Sequence, residues 1–292
     1  MGYSDPPWVF TGDALYQLSL VRVEEARKYV PPNIPLVNFL GYTLGGFYLA
    51  RYSDSPTGTF DELVALAGLA WNFPTSCAWA ARVYVNNAEA RNHGIGVVGL
   101  PSRLASFKAV RKPSCCKGKI QHSSKSSSRI DSGSDWWSSA GGRRDTKNQG
   151  GAEWVEIRNR EARRIPILQR ITSGLKRVCG IQSNAYITKG LKEPVCAIQI
   201  PRLQPQWGPV IQLSLPSYSG GTPACPDLLK YSLRMLTKIR FIKPLKIRME
   251  DEKSGSNSLE ALGTVLGGKP LLCMSFEKMN IQVEAPEYLE IK

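Results

Sequence analysis

The sequence predicts a mainly β protein of the α+β class, in which antiparallel strands close into a barrel or cone and a few short helices accompany them. Two segments, residues 14–23 and 230–247, alternate apolar and polar side chains, which is the period of a strand with one buried face. A third, residues 63–71, is an almost continuous apolar run short enough for a buried strand, although its alanines and leucines also permit a helix. Strands of this kind need closure or protected edges, and a barrel or cone supplies both.

The N-terminal third holds a succession of short elements. Residues 3–10 are extended because Pro6 and Pro7 restrict the backbone. Gly45 and Gly46 interrupt an aromatic and aliphatic strand and indicate a bulge or a close backbone approach. The other elements predicted here are strands at residues 14–23, 36–52, 63–71 and 77–85, a helix at 24–29, one or two helical turns at 87–93, a turn at 54–59 and a glycine-rich loop at 94–99.

The C-terminal part returns to strand-like sequence after a polar middle. Residues 216–229 contain two glycines and three prolines and supply turn chemistry between strands. Residues 250–257 form a polar loop, and the charged residues from 152 to 177 permit an isolated helix. The strands predicted in this part lie within residues 195–215, at 230–247 and at 271–283, the last being either a strand pair or one bent strand.

Residues 114–151 differ in character from the rest of the chain. They are dominated by Ser, Gly and charged residues without an apolar period, so they predict a disordered segment that cannot offset its ordering entropy. Between Arg111 and Arg177, sixteen Lys and Arg stand against six Asp and Glu, which gives this stretch ten of the net fourteen positive charges. Basic residues beside Trp136 and Trp137 permit nucleic-acid binding, but no recognisable binding motif is present, and an insertion without function is the favoured interpretation.

Composition argues against several classes of protein. Seven cysteines without a repeated Cys-x-x-Cys pair do not indicate a disulfide framework, and the two histidines, His93 and His122, are too far apart in sequence to suggest a zinc site. No apolar run reaches the roughly 20 residues of a membrane-spanning helix. The first residues show neither a secretory signal nor a transit peptide, so the sequence alone predicts a cytoplasmic protein. We expect no metal and no cofactor.

Three residues are candidates for a catalytic or binding role from their local sequence alone. Glu62 precedes a buried run and is either an acid whose pKa is raised by burial or a solvent-facing residue at a strand start. Arg82 lies inside an apolar run and must be paired, line a polar cavity or extend to the surface. Ser102 follows Pro101 without the Gly-x-Ser-x-Gly turn of a hydrolase, and His93 is the only base nearby in sequence, so a catalytic triad has little support.

Several sequence blocks resemble the plant neoxanthin-deficient proteins of the acetoacetate decarboxylase-like superfamily. They are MGYSDPPWVFTG, ALYQL, GYTLGGFYLARYSDSPTGTFDEL, NFPTSCAWAARVYVNN, VGLPSRLASF, WGPVIQLSLPSYSGGT, DLLKYSLRM and KPLLCMSFEKMNIQVEAP, about two thirds of the chain. The resemblance implies an antiparallel β cone with an internal ligand cavity. It assigns residues 1–107 and 180–292 to the two parts of one domain. Residues 108–179 are then a basic, low-order segment of the kind that a retained intron or a frame shift would produce.

The resemblance also assigns roles to particular positions. In the decarboxylases a lysine after a proline forms a Schiff base with the substrate, and a second lysine beside it lowers its pKa. The matching residues 101–103 place Ser102 and Arg103 at those two positions. Serine cannot form an iminium and arginine stays protonated, so Schiff-base decarboxylation should be lost. Glu62 falls where the superfamily has an active-site glutamate, which favours a cavity-lining role for it.

The family is associated with formation of neoxanthin from violaxanthin, and the missing lysines imply a noncatalytic accessory or ligand-binding protein. Its ligand would be an apolar or carbonyl-bearing small molecule such as a xanthophyll, and the pathway would place the protein in the chloroplast. Gly12 and Asp13 stand where a basic residue is expected, which weakens an anion site there. The cavity candidates are Glu62, Arg82, Pro101, Ser102 and Arg103.

Two other functions remain open at this point. One is an enzyme that acts on a carotenoid epoxide or a related substrate with Glu62 as general acid or base. The other is nucleic-acid binding through the basic insertion, which is the less favoured of the two. Homo-oligomer formation is also left open by the sequence.

Overall fold

The structure, a computed structural model, describes residues 2–72, 75–110, 154–160, 163–166, 186–189, 194–201, 203, 207–249 and 257–289. Its strands are β1 (Trp8–Arg22), β2 (Tyr42–Asp54), β3 (Phe60–Asn72), β4 (Thr75–Val85), β5 (Ser102–Val110), β6 (Trp154–Asn159), β7 (Arg163–Pro166), β8 (Tyr186–Lys189), β9 (Pro194–Gln199), β10 (Val210–Thr222), β11 (Cys225–Ile242), β12 (Ile247–Met249), β13 (Lys269–Val283) and β14 (Glu287–Tyr288). Its helices are α1 (Val23–Arg27), α2 (Ala88–Gly96) and α3 (Asn257–Leu266).

Twelve of the described strands form one large sheet in the order β10, β11, β13, β1, β2, β3, β4, β5, β6, β9 and β12, with β14 beside β11. Every pair in it is antiparallel except β4 and β5, which run parallel. Strand β10, at one edge, lies against β4, so the strands between them curl into the wall of a cone. This confirms the predicted mainly β, antiparallel fold with a few short helices.

The two faces of the wall bury two apolar clusters. The inner cluster comes from β1–β4, β10, β11, β13 and α2, and Ala50 of β2 and Val83 of β4 belong to it. The outer cluster lies on the opposite face, where β5, β6, β9, α1 and α3 cover β1–β4, and it contains the fully buried Leu15 and Phe47. Burial of each such large side chain contributes about 1.5–3 kcal/mol. Successive residues of β1 therefore point to opposite faces of the sheet and belong alternately to the two clusters.

Several predicted elements are confirmed with shifted ends. The predicted strands at 14–23, 36–52, 63–71 and 77–85 correspond to β1–β4, and the helix at 24–29 corresponds to α1. The apolar run at 63–71 is a strand, which decides the alternative that the sequence left open. Gly46 has a φ of 124°, and a Cβ on Gly45 would lie 2.8 Å from a methyl carbon of Val21, so both glycines stand where the backbone needs them.

Other predictions were wrong in part. Helix α2 continues to Gly96, beyond the turns predicted at 87–93. Its start is fixed by the Asn87 side chain, which accepts hydrogen bonds from two backbone N–H groups of the first turn. The turn predicted at 216–229 is reduced to residues 223–224, and both flanking strands run into it. At residues 271–283 the alternative of one bent strand is confirmed, because they belong to β13, which has a positive φ of 49° at Lys278. Helix α3 was missed.

The basic range 108–179 is only partly described. Strand β5 continues to Val110 and pairs with β6, where Val110 lies opposite Trp154, so residues 108–110 and 154–159 of this range are strands of the sheet. Strand β6 stands where an isolated helix was expected, and β7 forms a separate two-stranded sheet with β8. Trp136 and Trp137, which carry the nucleic-acid alternative, lie outside the described residues.

Candidate functional site

Glu62 projects from β3 into the cone. Its neighbours across the sheet are Ala50 on β2 and Val85 on β4, both members of the inner cluster. The Tyr52 hydroxyl, two residues along β2 on the same face, donates a hydrogen bond to the Glu62 carboxylate at 2.9 Å. The register of three antiparallel strands therefore puts one acid among apolar and aromatic side chains.

The contact with Tyr52 continues into a chain of hydrogen-bonding groups. The hydroxyls of Tyr48 and Tyr52 lie 3.4 Å apart, and either one can be the donor. The Tyr48 hydroxyl also lies 3.2 Å from the sulfur of Met279, which can accept a hydrogen bond from it. When Glu62 is ionised, Tyr52 donates to it and Tyr48 can donate to Tyr52. When Glu62 is protonated, Glu62 can donate to Tyr52, Tyr52 to Tyr48, and Tyr48 to the sulfur, so the chain reverses its direction.

Burial raises the pKa of Glu62 to about 7, and the hydrogen bond from Tyr52 opposes this rise. Burial likewise raises the pKa values of Tyr48, Tyr52 and Tyr231, and the charge of Glu62 raises each of them further. Glu62, Tyr48 and Tyr231 nevertheless keep some accessible surface. Glu62 is therefore a carboxyl group that can give or accept a proton near neutral pH.

An aromatic group closes the inner face near the chain start. The ring of Tyr3 stacks on His93 with centroids 3.5 Å apart, and Trp8 meets His93 edge-on at 4.4 Å. Burial lowers the pKa of His93 to about 4, and its Nε2 is buried without a hydrogen-bond partner among the described residues. His93 is therefore neutral at physiological pH and belongs to an aromatic stack, which does not favour the role of a base for Ser102.

A cleft of about 440 Å³ opens between β4, the chain after α2 and the turn from β10 to β11. This volume is in the range of about 300–1,000 Å³ that small-molecule sites occupy. The side chains of Trp79 and Tyr218 are its aromatic walls, and Lys28 and Arg82 also line it. Ala80 and Leu100 line the cleft and also pack against the inner cluster, so the cleft adjoins the cone interior.

The structure divides the predicted site residues between two places. Arg82, Pro101 and Ser102 line the cleft. Glu62 lies inside the cone, and a one-residue register shift between Ala65 and Leu66 leaves Arg82 opposite Ala65 on the outer face. Arg103 lies opposite Tyr84 in the sheet. Burial raises the pKa of Tyr84 to about 12, and the positive charges of Arg82 and Arg103 partly oppose this rise. Ligand binding by these five residues stays a prediction.

The two residues that replace an expected basic side chain have local roles. A Cβ on Gly12 would lie 2.8 Å from the Cα of Tyr52, so the close approach of β1 and β2 admits only glycine there. The Asp13 carboxylate accepts a hydrogen bond at 2.9 Å from the backbone N–H of Lys278, at the bend of β13. Both residues therefore shape the sheet, and neither offers a positive charge to the interior.

Sequence reasoning missed most of the tyrosines. Tyr48, Tyr52 and Tyr231 come from two strands far apart in sequence and meet Glu62 only through the sheet order. One signal was available, because Tyr48 and Tyr52 are separated by an even number of residues in a predicted strand and so share a face. In the described part of the chain, no group of three His, Cys, Asp or Glu side chains could hold a metal ion, and Cys77, Cys196, Cys225 and Cys273 form no disulfide.

The curled antiparallel sheet with an internal acid defines an acetoacetate decarboxylase-like fold. The acetoacetate decarboxylase of Legionella pneumophila superimposes with a TM-score of 0.54 over 99% of this chain and 90% of that chain, at 8% identity. An acetoacetate decarboxylase-like enzyme from Sphingomonas wittichii gives 0.51 over 99% of this chain and 95% of that chain, at 11% identity. At these identities the likeness concerns the fold alone.

Sequence comparison identifies the family within that fold. Protein NEOXANTHIN-DEFICIENT 1 of Solanum lycopersicum is 39% identical over 311 residues, 98% of this chain and 93% of that protein. The Oryza sativa protein of the same name is 38% identical over 301 residues, 97% of this chain and 88% of that protein. The chain therefore belongs to the NEOXANTHIN-DEFICIENT 1 family. No family model matches it, and no described helix is long and apolar enough to cross a membrane.

Proposed function

We propose that this protein takes part in neoxanthin biosynthesis by holding an apolar, oxygen-bearing molecule inside its cone, as an accessory protein rather than as the catalyst. The name of its relatives connects the family with neoxanthin. The inner cluster, rich in Phe, Tyr, Met and Val side chains, suits a hydrocarbon body. Glu62 and its neighbouring tyrosines can form hydrogen bonds with one oxygen atom of such a hydrocarbon. A xanthophyll, which carries hydroxyl or epoxide oxygens on a hydrocarbon chain, has this combination.

The observation that carries the proposal is the Glu62–Tyr52 hydrogen bond inside an apolar wall. A carboxyl group with a pKa of about 7 is partly protonated in the cell, so it can donate to a hydroxyl, epoxide or carbonyl oxygen of a ligand. Ser102, at the position of the Schiff-base lysine implied by the resemblance, is buried and supplies no amine. No lysine is among the buried residues of the described chain.

Binding is tested with the purified full-length protein and violaxanthin, neoxanthin and β-carotene dispersed in detergent, with quenching of tryptophan fluorescence as the signal. We expect the two oxygenated carotenoids to bind and β-carotene, which lacks oxygen, to bind about tenfold more weakly, because a polar group without its partner is costly to bury. Glu62→Leu, which removes the hydrogen-bonding group, should reduce this preference, whereas Glu89→Leu, on the exposed surface of α2, should not. Equal binding of all three would contradict the proposal.

A second candidate function is favoured by the reversible direction of the Tyr48–Tyr52–Glu62 chain. An enzyme that isomerises a carotenoid epoxide must give a proton to the epoxide oxygen and remove one from carbon, and Glu62 with its tyrosines can do either. Neoxanthin content in a plant line that lacks the homologous gene separates the two functions. Restoration by Glu62→Gln supports the accessory role, whereas failure of a folded, ligand-binding Glu62→Gln protein supports the enzyme.

The decarboxylase chemistry of the fold is tested directly. Incubation of the protein with a β-keto acid should release no carbon dioxide above background, and borohydride with a ketone should leave its mass unchanged, because the proposed cavity offers Ser102 where a lysine would be needed. A covalent adduct on any lysine would overturn the accessory role. It would leave the identity of the family unaffected.

A further inference from the structure

A hairpin at one end of the cone exposes an apolar apex to solvent. The Phe39 N–H donates to the Tyr42 carbonyl at 2.8 Å, and the Tyr42 N–H donates to the Phe39 carbonyl at 3.0 Å, which closes a two-residue turn at Leu40 and Gly41. Leu40 is 83% exposed and Phe39 is 75% exposed. Residues 39–42, which we call the hairpin tip, thus present two large apolar side chains to water.

Leu40 has a backbone conformation that is unfavourable for leucine. Its φ is 51°, in the left-handed region that glycine and asparagine adopt more readily than other residues. Either of them would form this turn at lower cost and would expose less apolar surface. An exposed apolar side chain at such a position therefore points to a role for the side chain itself.

Polar backbone groups of the hairpin tip are already paired within the protein. Besides the two hydrogen bonds between Phe39 and Tyr42, the Gly41 N–H donates to the side-chain oxygen of Asn38 at 2.9 Å. The Gly41 carbonyl accepts a hydrogen bond from the Val23 N–H at 2.9 Å. Backbone groups without a partner are costly in a medium that lacks water. These groups of the tip can therefore enter an apolar medium without losing a hydrogen bond.

Aromatic residues with a polar group lie at and beside the hairpin tip. Trp71, at the end of β3, is 47% exposed, and Tyr42 of the tip is 40% exposed. The Trp71 N–H donates to the Pro35 carbonyl at 2.8 Å, and the Val37 N–H donates to the Leu69 carbonyl at 2.9 Å, so the chain that leads into the tip is fixed along the end of β3. Tryptophan and tyrosine are enriched where proteins meet the headgroup layer of a bilayer, because each combines an apolar ring with a polar group.

Basic side chains lie behind the hairpin tip at the same end of the sheet. Arg22 is exposed and lies directly opposite Tyr42. Lys269 is exposed at the start of β13 and lies opposite Leu20, two residues before Arg22 on the same face of β1. Glu24 is exposed in α1, so the charge of these three side chains is positive in sum. Such a surface is attracted to anionic lipid headgroups.

The inner face of the sheet becomes more exposed toward the hairpin tip. Along β2, Ala50 is fully buried, Tyr48 and Leu44 are partly buried, and Tyr42 is exposed. Their even spacing puts all four side chains on one face of the strand. Ala50 lies opposite Glu62. A row of apolar and aromatic side chains therefore leads from the neighbourhood of Glu62 to the tip.

We propose that the hairpin tip docks this protein on the surface of an anionic lipid bilayer. Leu40 and Phe39 enter the layer of acyl chains, Trp71 and Tyr42 lie among the headgroups, and the basic side chains behind them contact anionic lipids. A fluid bilayer adapts to a projecting apex, whereas a second protein would need a matching pocket. Docking sets the exposed end of the inner face against the membrane, from which a lipid-soluble ligand can enter; this consequence, unlike the docking itself, rests on the proposed function.

Sedimentation with vesicles tests docking of the full-length protein without any carotenoid. Phosphatidylcholine vesicles that contain phosphatidylglycerol should bind the protein more tightly than vesicles of phosphatidylcholine alone. Leu40→Asn, which tolerates the left-handed backbone, should weaken binding at least about tenfold because it removes the apolar side chain that enters the bilayer. Arg22→Gln should weaken binding to the anionic vesicles about fivefold. Leu236→Asn is the matched control, since Leu236 is 50% exposed on β11, level with Thr11 near the other end of β1, and should change nothing.

Either of two results overturns the docking proposal. Vesicle binding that is absent, or that is equal for the wild type and Leu40→Asn, shows that the hairpin tip does not enter the bilayer. Sedimentation velocity without lipid gives the second, because a dimer that Leu40→Asn disrupts and Leu236→Asn preserves would assign the tip to a contact between two copies of this chain.

Violaxanthin separates docking from the proposed function. The wild-type protein should take up violaxanthin from the anionic vesicles faster than Leu40→Asn does, whereas both should bind violaxanthin dispersed in detergent with equal affinity. Leu40-dependent vesicle binding without any binding of violaxanthin supports docking and contradicts the proposed function. Violaxanthin binding in detergent without vesicle binding contradicts docking and leaves the proposed function in place.

Discussion

Glu62 gives the most direct physical test of the cone interior, because burial of its carboxyl group must make the stability of the protein depend on pH. The ordinary pKa of the group is 4.5, and burial in the folded protein raises it to about 7. Glu62→Gln keeps the size and the neutral, hydrogen-bonding character of the protonated side chain. The variant therefore removes this titration and little else.

The sign and the size of this pH dependence follow from the different proton affinities of Glu62 in the folded and unfolded states. Below pH 4.5 the group is protonated in both states, and its protonated form is accommodated without penalty. Between pH 4.5 and 7 the unfolded chain releases the proton while the folded protein keeps it, so folding stability falls as pH rises. Above pH 7 both states are ionised and the loss is complete. Between pH 5 and pH 8 this one group should lower the free energy of unfolding by about 2.5 kcal/mol.

Urea unfolding of both proteins at pH 5, 6, 7 and 8 measures this loss. Subtracting the wild-type free energy from that of Glu62→Gln cancels every other titrating group, and the difference should rise by about 2.5 kcal/mol in favour of the variant. Glu89→Gln, made on the exposed side of α2, should give a flat difference. A flat difference for Glu62→Gln as well would mean that the folded protein holds Glu62 ionised at pH 5, and the account of the interior would be refuted.

Two further variants test neighbouring features of the sheet. Tyr52→Phe removes the hydrogen bond that lowers the pKa of Glu62, so the pH-dependent loss of stability should extend to higher pH. Urea unfolding of Tyr52→Phe and of Tyr52→Phe/Glu62→Gln at each pH measures this extension. An unchanged pH profile would contradict the hydrogen bond. Gly12→Ala should lower the free energy of unfolding by about 1–3 kcal/mol, because the new Cβ would clash with the backbone of β2. Gly263→Ala, which has open space around it in α3, should raise the free energy of unfolding by up to about 1 kcal/mol. Equal urea midpoints for the two variants would show that β1 and β2 can separate.

Much of the sheet was predictable because single strands carry their own pattern. β1 alternates between the two clusters, and β3 is a continuous apolar run because it is covered on both faces. β6 was not recognised in the sequence WVEIRN, since its two charged residues resemble solvated chain. In the structure Glu156 is buried and pairs with Arg158 at 3.0 Å, which makes the charges compatible with a covered strand.

Helix α3 shows a different limit of sequence reasoning. Its sequence follows a Ser- and Gly-rich stretch, and the start pattern of Asn257 followed three residues later by Glu260 was overlooked. Leu262, Val265 and Leu266 have the spacing of one helical face, and all three are buried in the outer cluster. A segment of ten residues with three such positions becomes a stable helix mainly by packing on the sheet, which sequence periodicity alone does not supply.

The candidate site could be predicted only one residue at a time. Glu62 was found from its place before an apolar run, but the partners that define its chemistry are selected by strand register, which pairs Ala50 with Glu62 and so brings Tyr52 into reach. Met279 arrives from β13, more than two hundred residues further on. Cross-strand register depends on the whole sheet, so residues that meet across it carry no local signature.

Ser102 lies where the inner face of the cone meets the cleft. Strand β5 runs parallel to β4 and sets Ser102 beside Val83, on the face of the inner cluster, while the same residue lines the cleft. A Cβ on Gly94 would lie 2.7 Å from the Ser102 hydroxyl oxygen, so α2 packs directly over this position. The helix and the serine are thus in close contact, and a long side chain at this position would have to displace the helix. The same position thus connects the inner face, where Glu62 lies, with the cleft that Arg82 lines.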